Sequence, residues 1–193
     1  MTLSIILAGG PSGSGKSTLG DQLSRYYQCP FLEGDDFHLQ HNRDKMAHGH
    51  PLTDDDRWDW LERLSKASVE AAAKSNNKVV IVSCSMLKKI YRDYILEKAN
   101  EISCEDLCVR FVFLHCTFEE IFKRVTKRKD HYMKSDMVAS QFDIMEVPSG
   151  DELVENGGAA IPINCSHELP DVVLKDVLAH LPSHSYFSLN RLS

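Results

Sequence analysis

Five short apolar runs occur along the chain, and segments with helical periodicity separate them. The runs cover residues 3–8, 30–33, 78–84, 109–116 and 160–164. Apolar runs of this length that alternate with helices are typical of parallel strands, which are buried on both faces. We therefore predict an α/β fold of three layers, with a parallel sheet of about five strands and helices on both faces.

Three local sequence features predict where helices begin. Thr53 with Asp56, and Thr117 with Glu120, have the spacing of a capping box, in which each side chain bonds to the other residue's backbone amide. Pro170 predicts the start of the last helix. With 193 residues, of which 42% are hydrophobic, the chain can bury one sizeable core, so we expect a single domain over residues 1–193.

Charge and cysteine content narrow the class of protein. The formal net charge is -6, and an acidic chain is a poor candidate for coating nucleic acid, because that binding depends on Lys and Arg. The six cysteines include no C-x-x-C pair, which favours a reducing compartment over a disulfide framework. No apolar run approaches membrane-spanning length, and we expect no secretory signal. These features predict a cytoplasmic protein without membrane or nucleic-acid partners.

The strongest motif directly follows the first apolar run. Residues 10–17 read Gly-Pro-Ser-Gly-Ser-Gly-Lys-Ser, which matches the phosphate-binding loop pattern G-x-x-x-x-G-K-[ST] at every fixed position. The amides of such a loop, and of the helix that follows it, point at a polyphosphate. We predict that Lys16 reaches the β- and γ-phosphates and that the Ser17 hydroxyl ligates Mg²⁺. The predicted nucleotide-binding residues are Gly10, Ser12, Gly13, Ser14, Gly15, Lys16, Ser17 and Thr18.

The position of the acidic residues separates the classes of nucleotide-binding protein. A switch GTPase needs D-x-x-G and N-K-x-D, and neither pattern occurs here. In motor-type ATPases a hydrophobic strand ends in an acid, whereas residues 79–82 and 112–114 run into Ser83 and His115. The acids instead follow the second run, at Asp35 and Asp36, and the carboxyl ends of parallel strands line a ligand crevice. This arrangement favours a small-molecule kinase, in which an Asp accepts a hydrogen bond from the attacking hydroxyl.

Four further blocks of sequence resemble the gluconate kinase family. They are Gly34-Asp35-Asp36-Phe37-His38, the segment 42–61 with Lys45 and Arg57, the segment 84–93 with Ser85, Lys88 and Arg92, and the segment 124–148 with Arg124, Arg128 and His131. The resemblance covers nearly the whole chain to about Pro148. Leu39 and Asp59 stand where the family usually has proline, and we expect these changes to alter loop shape only.

The resemblance implies an activity and a fold. The activity is ATP-dependent phosphorylation of the 6-hydroxyl of D-gluconate, which feeds the pentose phosphate pathway. The fold is a P-loop kinase fold like that of shikimate and adenylate kinases. The resemblance also implies a homodimer.

Gluconate is a small anion rich in hydroxyls, so its site needs cations for the carboxylate and polar groups along the carbon chain. We assign Asp35 to the 6-hydroxyl, which it would orient for attack. The predicted substrate-binding residues are Arg57, Lys88 and Arg92 for the carboxylate, Asp36, His38 and Lys45 for the hydroxyls, and Asp35, Ser85 and His131.

Basic residues after the fourth run predict a mobile lid. Arg124 and Arg128 lie one helical turn apart and could both neutralise the transferred phosphoryl group, although either could instead belong to a solvated helix face. A kinase must keep water from ATP, so we expect residues from about 124 to 137 to close over both ligands. Adenine contacts are expected from this helix and from the loop after Asn164. The predicted catalytic residues are Lys16, Asp35, Arg124 and Arg128.

Two other functions remain compatible with the sequence. One is a kinase for another small acceptor, such as shikimate or a nucleoside monophosphate, although the latter would need a base pocket and a monophosphate clamp. The other is a nucleotide-binding regulatory module without turnover, which could dispense with Asp35 and the lid arginines. A screen of acceptors with Mg²⁺ and ATP separates these alternatives.

Overall fold

The computed structural model describes residues 2–127, 135–166 and 169–182. Within these ranges five parallel strands form one sheet in the order β2-β3-β1-β4-β5. The strands are β1 (Leu3–Gly9), β2 (Phe31–Glu33), β3 (Val79–Ser83), β4 (Leu107–His115) and β5 (Ala160–Asn164). The predicted parallel sheet is confirmed, and each strand lies within about two residues of its predicted apolar run.

The helices in the described ranges fall between these strands and after the last one. They are α1 (Lys16–Tyr27), α2 (Gln40–Ala47), α3 (Trp58–Lys74), α4 (Lys89–Ile102), α5 (Phe118–Lys127), α6 (Ser135–Ile144) and α7 (Pro170–His180). Short 3₁₀ helices cover Gly34–Phe37, Gly150–Glu152 and Val154–Asn156. None of the helices in this part of the chain combines the length and apolar character that crossing a membrane requires.

The sheet carries a hydrophobic core on each face. Successive side chains of a strand point to opposite faces, so Ile5 and Leu7 of β1 pack in one cluster while Ile6 and Ala8 pack in the other. The first cluster includes buried residues of α3 and α4, and the second includes buried residues of α1, α5 and α7. This is the predicted three-layer arrangement.

Two of the three predicted helix starts are confirmed. The Glu120 amide donates to Thr117 Oγ1 at 3.3 Å directly before α5, and α7 begins at Pro170. The prediction of a helix start at Thr53 is wrong, because α3 begins at Trp58. The capping-type bonds do form, with Asp56 Oδ2 accepting from the Thr53 amide at 2.7 Å and from Thr53 Oγ1 at 2.8 Å. They close a turn that precedes the helix.

Parallel strands bring their carboxyl ends to one edge of the sheet, and the loops there form the site. The loop after β1 contains residues 10–15, the turn after β2 contains Asp35, and Ser85 follows β3. Gly10 has φ 123°, and a Cβ at this position would lie 2.2 Å from the Leu114 carbonyl oxygen. Position 10 therefore accepts only glycine, because the phosphate loop there lies against the backbone of β4.

Candidate active site

The phosphate loop joins β1 to α1 through three glycines with positive φ, which are Gly10, Gly13 and Gly15. Gly15 is the N-cap of α1, and its φ of 101° lies in the left-handed region. Since no side chain caps this described helix start, the amides of its first turn can bind an anion. Lys16 Nζ donates to the Pro11 carbonyl oxygen at 3.0 Å, which holds the ammonium group against the loop.

Two cavities border this loop. The first, called here the Asp35 cavity, has a volume of about 500 Å³ and lies between the loop, the turn after β2, residues 51–57, Ser85 and the C-terminal half of α6. The second, the Arg124 cavity, has a volume of about 430 Å³ and lies between the loop, α1, α5, α7 and Cys165. Ser12 and Lys16 line the first, whereas Gly13, Ser14 and Gly15 line the second. The loop therefore separates two spaces of ligand size.

Asp35 lines the Asp35 cavity with an exposed carboxylate, and its backbone is fixed by Gly34. The Gly34 amide donates to Ser83 Oγ at 3.1 Å, and the Gly34 carbonyl accepts from Trp60 Nε1 at 2.7 Å. A Cβ on Gly34 would lie 2.1 Å from the Ser83 carbonyl oxygen. The carboxylate thus extends from a backbone whose position is set by the neighbouring strand and by α3.

His38 lies under the same cavity and stacks on Trp60, with 4.1 Å between the ring centroids. Its side chain is buried; Nε2 lies 3.9 Å from Asp35 Oδ1, and Nδ1 has no hydrogen-bond partner among the described residues. Burial lowers the pKa of His38 to about 4, and the positive charges of Arg57 and Arg43 act in the same direction. The imidazole is therefore neutral at pH 7 and can donate one hydrogen bond and accept another.

Arg57 is a positively charged residue at the wall of the Asp35 cavity, and among the described residues it forms no ion pair with a carboxylate. Its charge does help to lower the pKa of Asp54, which lines the same cavity. One Nη donates to the Leu52 carbonyl oxygen at 3.3 Å, and the guanidinium carbon lies 5.4 Å from the Tyr91 ring centroid. Arg57 Nε is buried without a hydrogen-bond partner among the described residues. An unsatisfied buried donor of a charged group is costly, so this atom marks a place for an anionic ligand.

Ser85 lines the Asp35 cavity as predicted, whereas Asp36 and the two predicted lysines lie outside it. The Asp36 side chain is exposed. Lys45 Nζ donates to Asp56 Oδ2 at 2.5 Å, and Lys88 Nζ donates to both oxygens of Asp54 at 2.7 and 2.8 Å. Each lysine therefore forms an ion pair with an aspartate of the protein, and neither lysine lines the cavity.

The assignment of Arg92 to the substrate carboxylate needs correction. Arg92 is 1% exposed, and it donates to Glu152 Oε1 at 2.7 Å and to Glu152 Oε2 at 3.1 Å. Another Nη donates to the carbonyl oxygens of Met86 and Leu87. Its charge is satisfied inside the protein, and Arg92 connects α4 to the 3₁₀ helix at Gly150–Glu152.

Arg124 lies at the Arg124 cavity and not at the Asp35 cavity. Its guanidinium donates to Glu120 Oε1 at 3.0 Å and to the Cys165 carbonyl oxygen at 2.8 Å. Arg124 thus lies beside the phosphate loop, in the region from which adenine contacts were expected, and its predicted role at the transferred phosphoryl group stays a prediction. Arg128, His131 and half of the predicted lid at 124–137 lie outside the described residues.

Asp54 and Gln141 are among the residues that line the Asp35 cavity without having been assigned a role from the sequence. Asp54 accepts from Lys88 and, at 2.5 Å, from the Tyr91 hydroxyl, and these bonds lower its pKa. Gln141 of α6 accepts from the Ser12 amide at 2.8 Å and so links α6 to the phosphate loop. Both residues fall within the blocks of family resemblance. Their roles could not be predicted, because an isolated Asp or Gln forms no motif with its neighbours in the sequence.

The donor set near the phosphate loop suits a metal ion held mainly by a nucleotide. In the described ranges no three His, Cys, Asp or Glu side chains group together as metal ligands. Mg²⁺ usually keeps several waters and binds substrate phosphates with one or two protein oxygens. The exposed Ser17 hydroxyl, in the first turn of α1, and the exposed Asp35 carboxylate fit that limited requirement.

Comparisons with known proteins agree on one family. The family model described as an AAA domain matches residues 5–147. The chain is 42% identical to a probable gluconokinase of Schizosaccharomyces pombe, covering 77% of this chain and 78% of that protein. It is 39% identical to the thermoresistant gluconokinase of Escherichia coli, covering 74% and 77%. The crystal structure of a gluconokinase from Sinorhizobium meliloti superposes with a TM-score of 0.74 at 32% identity, covering 97% and 94%.

Proposed function

The chain belongs to the gluconokinase family, and we propose that it transfers the γ-phosphoryl group of ATP to the 6-hydroxyl of D-gluconate. The products are 6-phospho-D-gluconate and ADP, and we place the reaction in the pentose phosphate pathway. The observation that carries the proposal is the Asp35 cavity, which is lined by Ser12 and Lys16 of the phosphate loop and by Asp35 and Arg57. A phosphoryl donor and an anionic acceptor can therefore meet in one space.

The acceptor carboxylate pairs with Arg57 in this proposal. The buried Nε of Arg57 has no described partner, and a guanidinium binds a carboxylate through two parallel hydrogen bonds. The neutral imidazole of His38 then bonds a hydroxyl of the carbon chain, since its Nδ1 also has no described partner. With the carboxylate at one end and the 6-hydroxyl at the other, these contacts give the acceptor one direction in the cavity.

Asp35 orients the attacking hydroxyl. Its exposed carboxylate lines the cavity that Lys16 also lines, so it can accept a hydrogen bond from the 6-hydroxyl and receive its proton as the phosphorus–oxygen bond forms. The transition state of phosphoryl transfer is loose, so alignment contributes more than full deprotonation. Lys16 neutralises charge on the β- and γ-phosphates from its position against the loop.

ATP lies with its phosphates along the loop and its nucleoside in the Arg124 cavity. This placement is supported by the position of that cavity beside Gly13, Ser14 and Gly15, with Arg124 at its wall. The Ser17 hydroxyl would hold Mg²⁺, which when bound neutralises phosphate charge. We keep Arg128 and His131 as proposed lid residues. A homodimer, a single domain and a cytoplasmic location also remain proposals, the last supported by the free cysteines of the described chain.

The test is an acceptor screen with the purified protein, Mg²⁺ and ATP. The acceptors are D-gluconate, other aldonic acids, D-glucitol, shikimate and nucleoside monophosphates, with ADP release followed by a coupled assay. We expect one clear preference for D-gluconate, with phosphorus NMR showing a phosphate ester at carbon 6. Lys16→Ala serves as the control for contaminating kinases. Faster turnover of another acceptor, or ADP release that ignores the acceptor, would contradict the proposal.

A further inference from the structure

Two cysteines meet where β4 and β5 end. His115 pairs with Asn164 in the parallel register, and the Cys165 amide donates to the His115 carbonyl oxygen at 2.9 Å. Cys116 and Cys165 are therefore the next residues along two hydrogen-bonded strands, which run roughly 4.8 Å apart. Both side chains pack in the same hydrophobic cluster. This spacing lies within the range of about 4.4–6.8 Å between Cα atoms that a disulfide spans.

The two thiols are in direct contact. Each thiol is the other's hydrogen-bond partner, and both cysteines are free. The bond from Cys116, together with the nearby Arg124 guanidinium, lowers the pKa of Cys165 against the opposing effect of burial. The same contact and burial raise the pKa of Cys116. The pair thus contains one thiol that ionises more readily than its neighbour, and a neutral thiol beside it that can resolve an oxidised sulfur.

Cys165 also belongs to the wall of the Arg124 cavity. Its Sγ lies 3.6 Å from the Ser14 carbonyl oxygen of the phosphate loop and 3.9 Å from an Arg124 nitrogen. Cys165 is 1% exposed and Cys116 is 8% exposed, so the cavity is the route by which a small reagent reaches the sulfur. A nucleotide in that cavity would close the route.

We propose that Cys116 and Cys165 are an oxidisable pair, which a hydroperoxide converts into a disulfide that weakens nucleotide binding. Neither the family assignment nor phosphoryl transfer uses these thiols. The disulfide itself does not depend on the kinase reaction, whereas its effect on ATP rests on the proposed placement of the nucleoside in the Arg124 cavity.

The chemistry takes place in two steps. The Cys165 thiolate attacks the terminal oxygen of the hydroperoxide, the oxygen–oxygen bond breaks, and the leaving alkoxide takes a proton to become an alcohol. The Cys116 sulfur then attacks the Cys165 sulfenic acid, forming the sulfur–sulfur bond as the sulfur–oxygen bond breaks. The hydroxyl and the thiol proton leave as water. The two sulfurs together lose two electrons, which reduce the hydroperoxide.

The disulfide changes the wall that contacts the phosphate loop. In the disulfide Cys165 Sγ is bonded to Cys116 and carries no hydrogen, so it cannot donate to the Ser14 carbonyl oxygen as the thiol does. The Arg124 guanidinium also lies 3.9 Å from this sulfur, so the new bond changes the environment of Arg124. The phosphate loop at Ser14 is then held less firmly in its anion-binding form, and we expect nucleotide affinity to fall by roughly fivefold, on the scale of one hydrogen bond. Bound nucleotide in turn slows the oxidation, because it covers Cys165.

The first experiment asks whether the pair forms. The purified protein is treated with hydrogen peroxide, with and without an ATP analogue, then alkylated, digested and analysed by mass spectrometry. We expect a peptide pair joined through Cys116 and Cys165, reversed by dithiothreitol, formed more slowly when the analogue is present, and absent from Cys116→Ser. Cys104→Ser is the matched control, because Cys104 is exposed and unpaired in the described structure. Recovery of both thiols in alkylatable form after the peroxide treatment would overturn the proposal.

The second experiment measures nucleotide affinity before and after oxidation. Calorimetric titration with the ATP analogue should give a roughly fivefold higher Kd for the oxidised protein, restored by dithiothreitol and unchanged by peroxide in Cys116→Ser. A disulfide that forms without changing Kd would overturn the link to nucleotide binding. That result leaves gluconate turnover by the reduced protein intact, so it is distinguishable from failure of the acceptor screen.

Discussion

Replacing Arg57 with methionine removes the one positive charge that we assign to the acceptor carboxylate, while keeping an unbranched side chain of similar length. Arg57 lines the Asp35 cavity, and its Nε is buried without a described partner. In the free protein the substitution loses the long bond from Nη to the Leu52 carbonyl and the contact with the Tyr91 ring. The larger loss appears only when the anionic acceptor binds.

The magnitude follows from the kind of bond that is lost. A hydrogen bond to a charged group contributes about 1.5–3 kcal/mol, and the bidentate geometry places Arg57 at the upper end of that range. A loss of about 3 kcal/mol corresponds to roughly a 100-fold rise in KM for D-gluconate. The carboxylate is distant from the reacting hydroxyl, so the bond acts about equally on the ground and transition states and kcat should change little.

The assay compares D-gluconate with D-glucitol, in which a neutral hydroxymethyl group replaces the carboxylate. Arg57→Met should reduce the preference for gluconate by roughly 100-fold in kcat/KM, and the KM for ATP should stay unchanged. Arg63→Met is the matched control, since Arg63 is an exposed residue of α3, the helix that Arg57 directly precedes. A folded Arg57→Met protein whose gluconate preference equals that of the control would refute the role of Arg57.

Three further outcomes are expected. Asp35→Asn should retain ATP binding in calorimetry but lower kcat by about 10²-fold or more, and full activity in the coupled assay would remove Asp35 from the mechanism. Arg92→Met should lower the free energy of unfolding by about 3–5 kcal/mol in urea titrations, because it leaves the Glu152 charge unpaired; a raised KM with unchanged stability would instead restore Arg92 to the substrate site. The pKa of His38 is lowered to about 4 from its ordinary 6.5, so the unfolded chain binds that proton more tightly and stability should fall by up to roughly 3 kcal/mol as pH drops from 6.5 to 4. His38→Gln should flatten this slope in urea titrations at a series of pH values, and an unchanged slope would show that His38 does not cause it.

The sheet could be predicted from the sequence because buried parallel strands are nearly continuous apolar runs. Both faces of these strands are buried, as the alternation of Ile5 and Ile6 between the two cores shows, so successive residues are apolar. The start of α3 was less predictable. The spacing of Thr53 and Asp56 fits a cap equally well at a helix and at an isolated turn, and Lys45 bonds the same Asp56 oxygen from α2, a tertiary contact that local sequence does not encode.

Site residues could be predicted from the sequence where the function requires one particular residue type at one position. The phosphate loop needs its glycines and lysine, and Asp35 must follow β2 to face that loop. The basic residues were harder to assign, because a positive charge in the sequence does not reveal which carboxylate it meets. Lys88 meets Asp54 and Arg92 meets Glu152. Of the three cations assigned to the acceptor carboxylate, the structure leaves only Arg57 at the cavity among the described residues.

Gly34 has a consequence for redesign of the enzyme. Its amide, its carbonyl and its missing side chain are each matched to Ser83 or Trp60, so the backbone beneath Asp35 has little freedom to follow a new acceptor. Variation that changes which sugar acid is accepted should therefore accumulate in the rim at residues 51–54 and in α6, which line the opposite side of the cavity. Libraries that randomise this rim and leave position 34 untouched should yield folded enzymes with altered acceptor range, whereas libraries that include position 34 should lose most of their members to misfolding.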